Sequence, residues 1–201
     1  MHVPHAKPLP QEFFARDSLR VARDLLGCRF SHGGVTVRLT EVEAYAGAAD
    51  PGSHAFLGRS PRNEVMFGPA GRLYVYFTYG MHFCANVVTG AEGEASAVLL
   101  RAGEVVDGVD LARARRRPGV ADRQLASGPA NLAMCLGLDT GGTGTDVVAA
   151  GSPLRLRSGD PVPDDAVLAG PRVGITRAVE RPWRFRVAGN PYVSRPRRAG
   201  G

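Results

Sequence analysis

The sequence contains few lysines, few cysteines and no long apolar run, and each shortage excludes a class of function. Lys7 is the only lysine among 25 Lys and Arg residues. A catalytic Schiff base needs a lysine amine or a free chain terminus, and Lys7 lies in a proline-flanked stretch near the N-terminus, a poor place to fix a nucleophile. Lysine-based covalent chemistry is therefore not expected.

The cysteine pattern argues against metal and disulfide frameworks. Cys28, Cys84 and Cys135 are odd in number, widely spaced and never form a Cys-x-x-Cys pair. This pattern is typical of reduced thiols and disfavours a zinc ribbon or an iron–sulfur cluster. The five histidines are also scattered. We expect no metal and no cofactor.

Hydropathy and charge restrict the partners. No apolar run approaches the roughly 20 residues that a membrane-spanning helix needs, and residues 1–8 lack the apolar core of a signal peptide. The formal net charge is +6 and the pI is near 9.8. Such a surplus favours nucleic acid as a partner, or it only keeps the protein in solution. We expect no membrane partner and a cytoplasmic, nucleoid-associated location.

The chain length suits one domain. We predict an extended N-terminal arm over 1–11, a single domain over 12–194 and a basic flexible tail over 195–201. Asp17 is placed to cap an amphipathic helix that ends at Gly27.

Strand patterns outnumber helix patterns along the rest of the chain. Two short helices are predicted over 108–116 and 128–137. Strands are predicted over 35–45, 72–78, 82–88, 97–101, 153–157, 172–176 and 183–187. The fold class is therefore α+β: one domain with a curved, largely antiparallel β-sheet, a protruding β-hairpin and flanking short helices.

Two acidic residues stand out in the strand predicted over 35–45. Glu41 and Glu43 continue the alternation that begins with the apolar Val35, Val37 and Leu39. A carboxylate on an apolar face is costly unless it is hydrogen-bonded or shifts its pKa, and such a group suits acid–base catalysis. Alternatively, the strand ends near Thr40 and both acids lie on a solvated loop; periodicity alone favours neither.

The hairpin and the loop before it carry candidate DNA contacts. Tyr79 lies at the predicted turn beside Gly80, where an aromatic side chain is able to enter a base stack; it could also fold back on its own sheet. Arg59 and Arg62 lie on the preceding loop, where they are placed to meet phosphates or simply to be solvated. The same alternatives hold for the basic block over 113–117, for which a solvated face is favoured.

Several short motifs follow one another along nearly the whole chain. In order they are Leu39–Tyr45 (LTEVEAY), His54, Pro61–Asn63, Met66–Phe67, Gly71–Tyr76, Tyr79–Asn86, Val98–Ala102, Ser127–Pro129 and Asn190–Ser194. Together they resemble the alkyladenine (3-methyladenine) DNA glycosylase family. A set of ordered matches spread over some 150 residues is far more specific than any single motif.

The resemblance implies an enzyme that flips an alkylated or deaminated purine out of duplex DNA and hydrolyses its N-glycosidic bond. Its lesions would be of the class of 3-methyladenine, 7-methylguanine, hypoxanthine and ethenoadenine. The single lysine fits an enzyme that leaves the strand uncut, and a monomer is the simplest fit to a DNA substrate. The resemblance implies that Glu43 is the general base and that Arg101 holds the water or the carboxylate. Tyr45, His54 and Tyr76 would enclose the flipped purine, and Asn86 would stand at the pocket wall. The residues implied to contact DNA are Tyr79, Met66 and Arg62.

Two residues of the pattern have no implied role. Glu41 matches the family motif without an assigned function. His82 stands where some relatives carry an aromatic residue; its role is open, and core packing is expected there.

Two alternatives to the glycosylase remain at this point: a non-catalytic protein that binds lesions in DNA, and a hydrolase of free nucleosides. The first would release no base, and the second would be insensitive to salt.

Overall fold

A computed structural model describes residues 7–78 and 80–194 of the chain. Its helices are short, and strands carry most of the regular structure, so the predicted α+β class is confirmed. The elements are α1 (Gln11–Phe14), α2 (Ser18–Leu25), β1 (Arg29–His32), β2 (Val35–Ala46), β3 (Leu73–Thr78), β4 (His82–Thr89), β5 (Ser96–Asp107), α3 (Val109–Ala114), α4 (Pro129–Leu136), β6 (Arg155–Arg157), β7 (Val167–Gly170) and β8 (Arg184–Val187). Single 3₁₀ turns occupy Gly47–Ala49, Glu64–Phe67, Asp122–Gln124, Thr140–Gly142 and Asp164–Ala166.

Local sequence explains where the helices begin and end. The Asp17 side chain accepts hydrogen bonds from the N–H groups of Leu19 and Arg20, which caps α2 as predicted. Pro129 stands in the first turn of α4, and Gly137 closes that helix in the left-handed conformation. The helices predicted over 108–116 and 128–137 are both confirmed.

The strands form one antiparallel sheet in the order β3-β4-β5-β2-β1-β6, and β8 joins β2 while β7 pairs with β8. All the pairings are antiparallel. The prediction of a strand over 172–176 is wrong, because this stretch is irregular. Its first two residues make contacts beside the functional site instead: the Arg172 side chain pairs with Asp50, and the Val173 N–H donates to Glu43.

A β-bulge in β2 decides which way its acidic residues point. Leu39 pairs with Gly103 and Glu41 with Ala102, so Thr40 is an extra residue. The extra residue changes the parity, and Val42 rather than Glu41 joins the core begun by Val35, Val37 and Leu39. The prediction that the carboxylates continue the apolar face is therefore wrong, and so is the alternative that the strand ends near Thr40.

Strands β2 to β5 separate two faces with different contents. One face packs on α2 and α4 and is apolar; its strand residues are Val42, Ala44, Leu73, Val75, Ala85, Val87, Val98 and Leu100. The alternate residues of the same strands turn to the opposite face, where they line a cavity. The alternation thus separates the hydrophobic core from the functional site.

The described part of the N-terminal arm lies along β6. Lys7 donates its N–H to the Ser158 hydroxyl, and Leu9 donates its N–H to the Leu156 carbonyl. Residues 1–6, Tyr79 and the tail over 195–201 lie outside the described residues, so the division into arm, domain and tail stays a prediction. Across residues 7–78 and 80–194, no helix is both long and apolar enough to cross a membrane.

Candidate active site

The cavity on the second face has a volume of about 200 Å³. It brings together residues that are far apart in the sequence, contributed by β2 to β5 and by loops. Of the residues predicted for the site, six line it: Tyr45, His54, Met66, Tyr76, Asn86 and Arg101. Four aromatic rings, those of Tyr45, His54, Tyr74 and Tyr76, stand in the wall beside polar and aliphatic groups, a combination that suits a flat ligand.

The Glu43 carboxylate lies directly behind this wall and is fully buried. One oxygen accepts the Val173 N–H at 2.8 Å and lies 3.3 Å from the Arg101 guanidinium. The other oxygen accepts the Tyr45 hydroxyl at 2.8 Å. All three partners line the cavity, so the carboxylate is one side chain away from whatever the cavity holds.

Burial raises the pKa of the Glu43 carboxyl above its ordinary value. The charge of Arg101 is the largest opposing influence on this pKa, and the hydrogen bonds from Val173 and Tyr45 also lower it, while nearby Glu41 raises it. A carboxyl with a raised pKa and three hydrogen-bonding or charged partners is suited to accept a proton in general-base catalysis.

Arg101 is held between two carboxylates. Its Nε donates to Glu41 at 2.9 Å, and its terminal nitrogen faces Glu43. Glu41 is also fully buried; it accepts the Ser194 N–H and hydroxyl and lies 3.2 Å from the Arg184 guanidinium. The structure thus gives Glu41, which had no assigned role, a structural one: it orients Arg101 and ties the end of the described chain to β2.

His54 meets the tyrosines of β3 edge-on. Its ring centroid is 4.6 Å from that of Tyr76, at an interplanar angle of 76°. Its Nδ1 lies 3.3 Å from the Tyr74 hydroxyl. Burial lowers the pKa of His54, and the charge of Arg62 lowers it further, so both influences favour the uncharged imidazole.

Asn86 and Met66 are buried residues of the cavity wall. The Asn86 amide donates to the Tyr74 carbonyl across the β3–β4 pair, which fixes the side chain against the sheet. Met66 is only 3% exposed and packs in a small cluster with Tyr74 and Ala97. Met66 thus lies in the cavity wall, and its predicted contact with the minor groove stays a prediction.

Arg62, one of the residues predicted to contact DNA, lies on the surface beside β3. Arg62 is exposed; it donates to the Phe77 carbonyl and lies over the Tyr76 ring at 5.5 Å from the centroid. Tyr79 lies outside the described residues, between the exposed Phe77 and Met81 of the hairpin. The DNA roles of Arg62 and Tyr79 remain predictions.

A second cavity, of about 550 Å³, adjoins the first and shares Arg101, Pro129 and Val173 with it. Arg116 and Arg123 line it, so the opening beside the aromatic pocket is basic. In the basic block over 113–117, three arginines (Arg113, Arg115 and Arg116) also make intramolecular hydrogen bonds. His82, expected to pack in the core, instead borders this second cavity.

Sequence reasoning missed several residues of the site. Tyr74 received no role of its own within the strand predicted over 72–78, yet it is buried and lines the cavity. Asp50 and Arg172 form a buried ion pair across 122 positions, and no local pattern connects them. Val173 contributes its backbone N–H, which carries no side-chain signal, and Gly174 and Ile175 after it line the cavity.

No group of three or more His, Cys, Asp or Glu side chains suited to hold a metal is found over residues 7–78 and 80–194. The described site offers a buried carboxylate, a guanidinium and aromatic rings around a cavity. Groups of these kinds, on one face of the sheet of an α+β fold, are those that acid–base enzymes use.

Comparison with known proteins identifies the family. The model of the methylpurine-DNA glycosylase family matches residues 12–191. The chain therefore belongs to this family; it is a hydrolase, a DNA glycosylase of DNA repair, as the sequence motifs predicted.

Individual relatives match over nearly their full lengths. A protein of Streptomyces avermitilis is 54% identical over 95% of this chain and 92% of its own length. One of Nocardia farcinica is 50% identical, over 91% and 89%, and one of Carboxydothermus hydrogenoformans is 46% identical, over 93% and 98%. Each carries, as a provisional assignment, the name 3-methyladenine DNA glycosylase.

Proposed function

We propose that this glycosylase flips an alkylated or deaminated purine out of duplex DNA into the aromatic cavity and hydrolyses its N-glycosidic bond with a water that Glu43 activates. The main observation behind this proposal is the buried Glu43 carboxylate. It is separated from the cavity only by its partners Tyr45, Arg101 and Val173. The proposed substrates are lesions of the class of 3-methyladenine, 7-methylguanine, hypoxanthine and ethenoadenine.

In the proposed step, the water oxygen forms a bond to C1′ of the sugar and gives its proton to Glu43. The C1′–N bond breaks, and its electron pair leaves with the purine. Positive charge develops on the sugar as the bond breaks, so a carboxylate close by also stabilises the transition state. Arg101 holds the carboxylate or the water in place, and its charge lowers the Glu43 pKa, which favours the basic form of the carboxylate.

The cavity walls suit a damaged purine. Tyr45 offers a ring face on one side, and His54 with Tyr76 closes the other. Alkylated purines are cationic and stack well on electron-rich tyrosine faces. A neutral His54 avoids repelling such a base. Asn86 stands at the wall, where its bulk rejects a normal guanine with its exocyclic amino group.

DNA binding in this proposal uses the hairpin side of the molecule. Tyr79 fills the gap that the flipped base leaves, Met66 lies near the minor groove, and Arg62 meets a phosphate. Flipping costs a few kcal/mol, less when the pair is already damaged. In this proposal the enzyme acts as a monomer. It leaves the abasic site uncut, because Lys7, the only lysine of the sequence, lies beside β6 at the far edge of the sheet from β3.

The test is single-turnover base release from duplexes that each contain one lesion, at low and moderate salt. The wild-type enzyme is expected to release 7-methylguanine and at least one of hypoxanthine and ethenoadenine. The rate of base release should fall as the salt concentration rises, because salt screens the contacts with phosphates. Glu43→Gln at equal DNA occupancy should bind but release base at least about 100-fold more slowly.

Two results would contradict the proposal. Binding to lesion DNA with no base released from any of the duplexes would make the protein a lesion binder. Release that is insensitive to salt, together with cleavage of free nucleosides at a similar rate, would make it a nucleoside hydrolase.

A further inference from the structure

The least expected feature of the site is a buried ion pair behind its wall. The side chains of Arg172 and Asp50 are completely buried, and two guanidinium nitrogens meet two carboxylate oxygens. Bidentate pairs of this kind are geometrically specific as well as strong. Neither residue was among the groups predicted for the chemistry, so the pair needs its own explanation.

Arg172 is in contact with the strand that carries the proposed base. Its guanidinium donates to the Ala44 carbonyl, between Glu43 and Tyr45, at 3.0 Å. It also stacks under the Tyr45 ring, 4.7 Å from the centroid, with Trp183 at 5.1 Å from the same guanidinium. The ring proposed to receive the base is thus backed by a fixed planar group.

The ion pair also holds the two other segments that border the site. The residue after Arg172 is Val173, whose N–H donates to Glu43. The Asp50 carboxylate accepts the Gly52 N–H, and Gly52 leads to His54 at the cavity wall. A Cβ added at Gly52 would lie 2.8 Å from an Arg172 nitrogen, so this loop is packed tightly onto the guanidinium.

We infer that Arg172, held by Asp50, is a positioning residue for base excision: it sets Glu43 through the Val173 N–H and sets the Tyr45 ring that receives the purine. This inference rests on the proposed function. Arg172 touches neither the cavity nor the water, since Tyr45 and Val173 stand between. It therefore acts on the reaction only through those neighbours.

Several charged and titratable groups face Glu43 and must be considered in any pH measurement. They are Glu41 and Tyr45 on β2, Tyr76 on β3, Cys84 on β4, Arg101 on β5 and Arg172 itself. The Val173 hydrogen bond lowers the Glu43 pKa. If Arg172 loosens and this bond is lost, the Glu43 pKa rises and the acidic limb of the rate profile moves to higher pH.

The test compares Arg172→Lys with wild type. Lysine keeps the charge but loses the planar fork and the stack. We expect single-turnover base release to fall roughly 10- to 100-fold, as expected when catalytic groups are misplaced by about an ångström. The acidic limb should move to higher pH. The matched control is Leu156→Ala in β6, a fully buried core residue remote from the cavity, with the melting temperatures of both variants measured.

A readout that does not need activity separates this inference from the proposed function. The pKa of Glu43 is measured by NMR on protein with ¹³C-labelled glutamate carboxyls, with Glu43→Gln to assign the signal. A higher Glu43 pKa in Arg172→Lys supports the positioning role even if wild type releases no base. An unchanged Glu43 pKa and rate overturn it.

A purely structural role gives a different result. If Arg172→Lys loses activity only as much as Leu156→Ala does at the same loss of melting temperature, with no movement of the acidic limb, the inference is overturned. Should Arg172→Lys not fold, Asp50→Asn is tested in the same way. Failure of both variants to fold would also overturn it, by making the ion pair a structural element alone.

Discussion

On one face of β2, Val37 and Val42 pack into an apolar core, whereas on the other face Glu41 and Glu43 are equally enclosed but carry charge. Burying apolar surface stabilises the fold by about 25 cal/mol per Å². Burying a carboxylate costs free energy that its partners only partly return. The same strand thus stabilises the fold on one face and holds reactive groups on the other.

The difference lies in how each face tolerates change. The core face depends on volume, and its residues are replaceable by others of similar size. The cavity face depends on pairing, since Glu41, Glu43 and Arg101 are each buried with a charged partner. Changes on the first face should alter stability, and changes on the second should alter stability and chemistry together.

The largest effect is expected for Arg101→Gln. It leaves Glu41 without its closest cation and Glu43 without the charge that lowers its pKa. Removing one partner of a buried ion pair costs about 3–5 kcal/mol, and base release should fall sharply as well. Urea unfolding and single-turnover assays measure the two. A stable, fully active variant would show that the cavity face does not depend on this pairing.

On the core face, Leu25→Ala should lose stability without losing chemistry. Leu25 of α2 is fully buried in the main core, and such truncations cost about 2–5 kcal/mol. Base release per folded molecule should stay within about threefold of wild type, since no cavity residue is touched. A loss of base release as large as that of Arg101→Gln would contradict the distinction between the core face and the cavity face.

The pH dependence of stability should also reflect the cavity face. The Glu43 pKa is raised in the folded protein, so the folded state binds more protons than the unfolded state between the ordinary value and the raised one. This contribution to stability is full below the ordinary pKa and is lost as pH rises to the raised one, by up to about 1.4 kcal/mol per pH unit.

Glu43→Gln should remove that slope. Urea unfolding of both proteins across the acidic range gives the comparison, and the difference in unfolding free energy between them should change with pH in this window. A constant difference would mean that the Glu43 pKa is not raised by folding.

A smaller effect is expected for Tyr45→Phe, which keeps the ring and removes the hydroxyl that donates to Glu43. That hydrogen bond lowers the Glu43 pKa, so its loss should move the acidic limb of base release to higher pH. Well above the limb, the rate should stay within about tenfold of wild type, because stacking on the ring remains. A limb that moves to lower pH would contradict the role of the hydroxyl.

The smallest effect is expected on the exposed surface. Arg62→Gln should reduce the dependence of log K on log salt for duplex DNA by about 0.9, the value for one phosphate contact. Arg20→Gln, an equal charge change at an exposed residue of α2, should leave the slope as it is. Equal slopes for Arg62→Gln and wild type would remove Arg62 from the DNA interface.

The sequence predicted the core face better than the cavity face, for a physical reason. Alternation and capping are local, so α2, α4, the β3–β4 hairpin and the α+β class follow from neighbouring residues. The bulge at Thr40 has no comparable signal, yet it turns Glu41 and Glu43 to the other face. Asp50, Arg172 and Val173 come together only through the fold, and family motifs rather than periodicity singled out Glu43.

The most direct test of the account compares the two buried carboxylates, Glu43→Gln and Glu41→Gln, in single-turnover base release at equal DNA occupancy. If Glu43 is the general base, its variant should lose at least about 100-fold at pH values above the acidic limb of the wild-type rate, and the loss should shrink below that limb, where wild-type Glu43 is protonated. Glu41→Gln should retain a pH-dependent rate, because Glu43 still takes the proton. A Glu43→Gln enzyme as fast as wild type, or a pH profile lost only in Glu41→Gln, would contradict the account.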